Sequence, residues 1–147
     1  MEALRASRDA HRTIMETSGG VMADTPVTGT PRALLRIEGA TMFVAAVLAY
    51  RATGGSWGVF AALFLAPDLG LIAYAAGPRV GAHVYNALHT YVGPALLAGL
   101  AYTGVSPRAW SWCAVWLAHI GMDRAVGFGL KFTSAASNTH LGFRHLH

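Results

Sequence analysis

Past residue 32 the sequence falls into four long apolar runs separated by short breaks. The runs are roughly 33–50 (ALLRIEGATMFVAAVLAY), 57–76 (WGVFAALFLAPDLGLIAYAA), 80–103 (VGAHVYNALHTYVGPALLAGLAYT) and 109–130 (AWSWCAVWLAHIGMDRAVGFGL). Each is apolar nearly all round and long enough to cross about 30 Å of hydrocarbon at about 1.5 Å per residue. The breaks, RATGGS, GPR and GVSPR, are rich in glycine and proline, and links this short force successive helices antiparallel. The pattern predicts an all-α fold: an integral membrane up-down four-helix bundle over residues 33–131, with a soluble four-helix protein as its rival. Residues 1–32 combine turn residues with charges of both signs and no sustained apolar face, and read as a disordered polar tail. Residues 132–147 form a short cytoplasmic C-terminal segment.

Charge sharpens this picture. Only 12% of the chain is charged, about half of what a soluble domain carries. The net charge of +4 is scattered at the edges of the apolar runs, which argues against a nucleic-acid partner and for the lipid bilayer, with room for a homo-oligomer. The lone Cys113 lies inside an apolar run and offers neither a disulfide nor a thiolate metal site. The first long run starts too late for a typical signal-peptide core. With four crossings, Arg32, Arg36, Arg79, Lys131 and Arg144 share one side, against Arg51 and Arg108 on the other. The excess of basic residues places both termini in the cytoplasm. Tyr50, Trp57, Tyr102, Trp110 and Trp112 fall at the opposite boundary, as an interfacial belt would.

Only three acidic residues remain beyond residue 32, namely Glu38, Asp68 and Asp123, and each sits inside an apolar run. Counted along straight helices, Glu38, Asp68, Asn86, His89, His119 and Asp123 all come to roughly 8–18 Å from the cytoplasmic boundary. Ala82, Asn86, His89 and Gly93 make one stripe on the third run, and Trp116, His119, Asp123 and Gly127 the matching stripe on the fourth. Pro67 and Pro94 remove backbone donors close to Asp68 and His89, which is tolerated where helices line a polar cavity. Three readings compete for this cluster. The first is structural: buried ion pairs of Arg36 or Arg124 with Asp68, Glu38 or Asp123. The second is a proton or solute path through His and carboxylate groups. The third is a metal site of Asp68, His89, His119 and Asp123, with Glu38, Asn86 and Arg124 as accompanying catalytic groups. Two imidazoles with carboxylates suit zinc, manganese or iron, and an open position would support hydrolysis.

The stretches LLRIEG, FLAPDLGLIAYAAGPRVGAHVYNALHTYVGP, WLAHIGMDRAVGFGLKF and NTHLG resemble the domain-of-unknown-function family 4260, a set of small bacterial membrane proteins. The likeness covers residues 33 to 142. It lands on Glu38, Pro67, Asp68, Gly77, Tyr85, Asn86, His89, His119, Asp123, Arg124, Lys131, Thr139, His140 and Gly142. The family pattern has Asp where this chain has Asn138. It implies location and fold, and no activity. The order Pro67–Asp68, His89–Thr90 and His119 through Asp123 to Gly127 is also similar to metal-dependent inner-membrane hydrolases regulated by the LexA repressor. Those proteins carry a further Asp after the P-D pair and a basic residue before the H-T pair, and this chain has neither. That likeness implies hydrolysis of a phosphoester or lipid-like substrate from the cytoplasmic leaflet. His140, in the THLG segment, is expected to fold back over the cytoplasmic mouth.

Overall fold

The computed structural model describes residues 26–106, 108–133 and 138–143. The expected disordered tail therefore lies, for residues 1–25, outside the described residues, as do Arg144 and the closing histidines. Helix α1 spans Gly29–Ala52, starting four residues before the apolar run. Pro31 falls in its first turn, where no intrahelical acceptor awaits its missing N–H. Helix α2 (Trp57–Phe64) runs directly into an 11-residue 3-10 helix, Ala66–Ala76. Helices α3 (Pro78–Leu88) and α4 (Val92–Tyr102) share the third run, and α5 covers Arg108–Val126. Two short strands follow, β1 (Asn138–Thr139) and β2 (Gly142–Phe143), paired antiparallel.

The prolines explain where the rods change geometry. In an α-helix a proline clashes with the carbonyl four residues back. For Pro67 that carbonyl belongs to Leu63, and α2 ends one residue later. For Pro94 it belongs to Thr90, and the third run is interrupted at residues 89–91. Four straight helices are thus replaced by two continuous ones and two broken ones, and both breaks fall at the level of Asp68 and His89.

The rods pack up and down. α5 is the central element, packed on α1, α2 and α4, while α3 packs on the 3-10 helix. Gly39 lies against Arg124, and Gly121 against Phe43, so α1 and α5 run antiparallel with their backbones nearly touching. Gly81 lies against Tyr74 and Gly70 against Leu88, pairing α3 antiparallel with the 3-10 helix. α5 contributes more buried positions than any other element, among them Ala109, Val115, Ala118, His119 and Ile120. Elsewhere the outer faces are apolar: Ile37, Leu48, Leu69, Ile72, Leu96 and Tyr102 are all exposed.

Among the described residues two helical stretches, Gly29–Ala52 and Trp57–Ala76, are long and apolar enough to cross a membrane, rather than the four expected. The third run fails because it is split into two 11-residue helices, and α5 carries Arg108, Asp123 and Arg124. One expected belt residue also behaves differently. Tyr50 is buried, packed at a tilt against Trp57 and edge-to-face against Phe60, and its hydroxyl donates to the Ser56 carbonyl at 2.6 Å. Trp57, Tyr102, Trp110 and Trp112 are exposed.

Candidate metal centre

Asp68 enters from the first turn of the 3-10 helix, His89 from the C-terminal cap of α3, and His119 and Asp123 from adjacent turns of α5. The two imidazoles meet with their Nε2 atoms 3.0 Å apart. Asp68 Oδ1 lies 3.5 Å from His89 Nε2 and 3.7 Å from His119 Nε2. Asp123 Oδ2 lies 3.5 and 3.7 Å from the same two atoms. Ligand atoms on a tetrahedral ion at about 2.0–2.1 Å sit about 3.3 Å from one another. The separations of 3.0, 3.5 and 3.7 Å among Asp68, His89 and His119 bracket that value, with Asp123 approaching both imidazoles from outside this set of three. Asp68, His89 and His119 form a group able to hold a metal ion, their ligand atoms all within 4.8 Å of one another.

Hydrogen bonding points the same way. His89 Nδ1 is 2.8 Å from the Tyr85 carbonyl, which only accepts, so Nδ1 carries the proton and Nε2 presents its lone pair to the centre. His119 Nδ1 is buried without a partner. Either tautomer leaves that Nδ1 unpaired: a stranded lone pair if His119 donates from Nε2 to His89, a stranded N–H if Nδ1 keeps the proton. If Nδ1 keeps the proton, both Nε2 lone pairs and two carboxylates converge, and the Tyr85 hydroxyl, 3.4 Å from Asp123 Oδ2, is the donor that reaches them. A ring of acceptors this poor in donors fits a cation at its centre. His89 and His119 are buried, while the Asp68 side chain is 42% exposed, leaving one approach open.

The other sequence candidates lie elsewhere. Glu38 is exposed on α1 and is not brought to the cluster. Asn86 spends both ends of its amide on the Lys131 backbone, donating to the carbonyl at 2.8 Å and accepting from the N–H at 2.7 Å. Arg124 donates to the His89 carbonyl at 3.0 Å. With the Trp116 indole, which donates to the Leu88 carbonyl at 2.7 Å, it caps the broken end of α3. Arg36 likewise donates to the Ala125 carbonyl in the last turn of α5. The arginines therefore serve helix ends, and among the described residues every ion pair to a carboxylate comes from a histidine.

One feature was absent from the sequence reading. Lys131, read as a membrane-edge charge, holds its ammonium over the rings of Tyr74 (5.2 Å) and Tyr85 (4.5 Å). Burial pushes it below the ordinary lysine range, against the opposing pull of Asp68 and Asp123. The THLG segment does fold back: His140 Nδ1 accepts the Leu130 N–H at 2.8 Å, its N–H donates to the Leu130 carbonyl, and its carbonyl accepts from Val27. It ties the start of α1 to the end of α5 at one end of the bundle and stays outside the His/Asp cluster.

The fold and site define a helical protein with a buried Asp/His cluster between broken helices. The profile of the family described as "Domain of unknown function (DUF4260)" matches residues 32–143, and the chain belongs to that family. No curated protein and no solved structure matches it.

Proposed function

We propose that this is a four-crossing protein of the bacterial inner membrane whose Asp68, His89, His119 and Asp123 bind a divalent cation, zinc before manganese or iron, and hydrolyse a phosphoester or lipid-like substrate. The observation that carries this reading is the pair of Nε2 atoms 3.0 Å apart, flanked by two carboxylate oxygens, with His89 locked in the ligand tautomer. Membrane placement is supported by the two long apolar stretches, of which only 17% and 11% is buried, unlike the core helices of a soluble protein. The distribution of basic residues argues for both termini in the cytoplasm.

A cation held there supplies Lewis acidity and an activated water at neutral pH. The chain's own contribution is orientation. Tyr85 fixes the His89 ring, α5 fixes His119 and Asp123 one turn apart, and the exposed edge of Asp68 leaves the approach for substrate and water. In the hydrolysis the water oxygen bonds to phosphorus and gives up one proton, the ester P–O bond breaks, and the departing alcohol oxygen takes up a proton in balance.

The test is elemental analysis of detergent-purified protein beside Asp68→Asn and a His89→Ala, His119→Ala double variant. The wild type is expected to carry about one equivalent of metal, Asp68→Asn substantially less, and the double variant none, with hydrolysis of phosphoesters falling in the same order. No metal in wild-type protein, and none taken up from zinc, manganese or iron, overturns the reading. A wild type without metal that conducts protons in liposomes, lost in Asp68→Asn, supports a proton relay in its place.

A further inference from the structure

The cluster lies between two unlike surroundings. Toward the α4–α5 link, an apolar groove of about 240 Å³ is lined by Leu63, Pro67, Leu88, Leu97, Val115 and Trp116. Pro67 and Leu88 are the chain neighbours of Asp68 and His89, so the groove abuts the centre. Ala66 and Trp112, also in its lining, are exposed, so it opens on the outer, apolar surface of the bundle. Toward the opposite end lie Tyr74, Tyr85 and Lys131, the only lysine in the chain. Among the described residues its ammonium has no carboxylate within ion-pair distance, only the two aromatic faces. The Tyr74 hydroxyl is buried there without a hydrogen-bond partner. Along the bundle axis the order is therefore apolar slot, acceptor ring, then a cation without an ion pair among the described residues and an unused hydroxyl.

We infer that the substrate is a membrane amphiphile, with one acyl chain in the groove beside Pro67 and Trp116 and an anionic, phosphate-type head group turned toward Lys131. Resting on the hydrolase reading above, this assigns its substrate class and gives Lys131 a positioning role. The occupant is a lipid because the slot is apolar and open to the side, the far end is cationic, and the two are separated along the axis by the candidate centre. A lipid lying in one leaflet has that same polarity, its chain toward the bilayer middle and its charge toward the surface. A free phosphate would leave the slot unused.

The experiment uses the full chain in phosphatidylcholine nanodiscs doped with phosphatidic acid carrying a photoactivatable acyl chain, with labelled peptides mapped by mass spectrometry. Labelling is expected to concentrate on Leu63, Leu97 and Trp116. Ala66→Trp, an exposed position at the rim, should remove it by filling the slot, and Leu97→Phe should reduce it. Lys131→Gln should lower labelling by the phosphatidic acid several-fold and leave labelling by the matching phosphatidylcholine probe unchanged. Labels spread evenly over Leu69, Ile72 and Leu96, and indifferent to Ala66→Trp and Leu97→Phe, overturn the inference. So does equal labelling by both lipids in the wild type. The labelling needs no metal, and metal content is measured on the same sample. Groove labelling without metal would therefore sink the hydrolase reading while leaving lipid binding, and metal without groove labelling would do the reverse.

Discussion

His89 is held from behind by Tyr85, whose carbonyl accepts its Nδ1 proton at 2.8 Å and whose ring stacks on the imidazole with centroids 3.7 Å apart. The same tyrosine reaches Asp123 with its hydroxyl at 3.4 Å, a long contact. Tyr85→Phe keeps the ring and the carbonyl and removes only that hydroxyl. Zinc affinity is therefore expected to fall by about 10-fold, the weak end of what outer partners of metal ligands contribute. Competition against a chromophoric chelator measures this, and an unchanged affinity would argue that Asp123 is not a ligand. Asp68, His89, His119 and Asp123 were legible in the sequence because polar residues in long apolar runs are few and helical rise fixes their depth. Depth does not fix direction, however. Asn86 shares a stripe with His89, yet its amide pairs with a backbone that the sequence gives no means of placing. Arg124 resembles a counter-ion until the break in α3 exposes a carbonyl for it to cap.

At the level of elements, the seam between α1 and α5 depends on absent side chains. A Cβ at Gly121 would lie 2.6 Å from the Phe43 backbone nitrogen, which cannot yield as a side chain would. Gly121→Ala should therefore cost on the order of 1–3 kcal/mol through overpacking, read as a lowered Tm in detergent. Gly99→Ala on α4 meets open space, and should be neutral or slightly stabilising through its helix propensity. Equal losses in both would show that the close approach is not the cause. The hairpin is held differently. Burial, and secondarily Arg124, lowers the pKa of His140, whose Nδ1 must stay unprotonated to accept from Leu130. The unfolded chain thus binds the proton more readily, so the clasp contributes fully above the ordinary histidine value of about 6.5 and weakens as pH falls below it. Faster exchange of the Leu130 amide at pH 5.5 than at pH 7.5, corrected for intrinsic rates, is the expected sign. It should be absent in His140→Gln. Both broken rods could be anticipated from Pro67 and Pro94 in kind but not in place. The clash that a proline creates falls four residues upstream, so the third run opens at His89 itself.

At the scale of the whole molecule, burial is concentrated around α5, with a second seam between α3 and the 3-10 helix, while the flanks stay apolar, an arrangement that suits lipid as the outer solvent. The sequence indicated that much through its low charge, but it presented four similar runs where the structure distinguishes two long apolar stretches from a split one and a polar one. Polar residues that look costly along a single helix become a shared centre only after the rods pack, and the packing depends on the glycines and the breaks. The membrane reading makes a topological demand. Ser106 and Thr133 lie beyond opposite ends of α5, one before its first residue and one after its last. In a Cys113→Ala background, Ser106→Cys should react with an impermeant maleimide added to intact cells, whereas Thr133→Cys should react only after permeabilisation. The reverse pattern would place the termini outside, with the Lys131 end of the site facing away from the cytoplasmic leaflet. Protection of both until lysis would mean that α5 does not cross the membrane, and the apolar flanks would then have to be covered by protein.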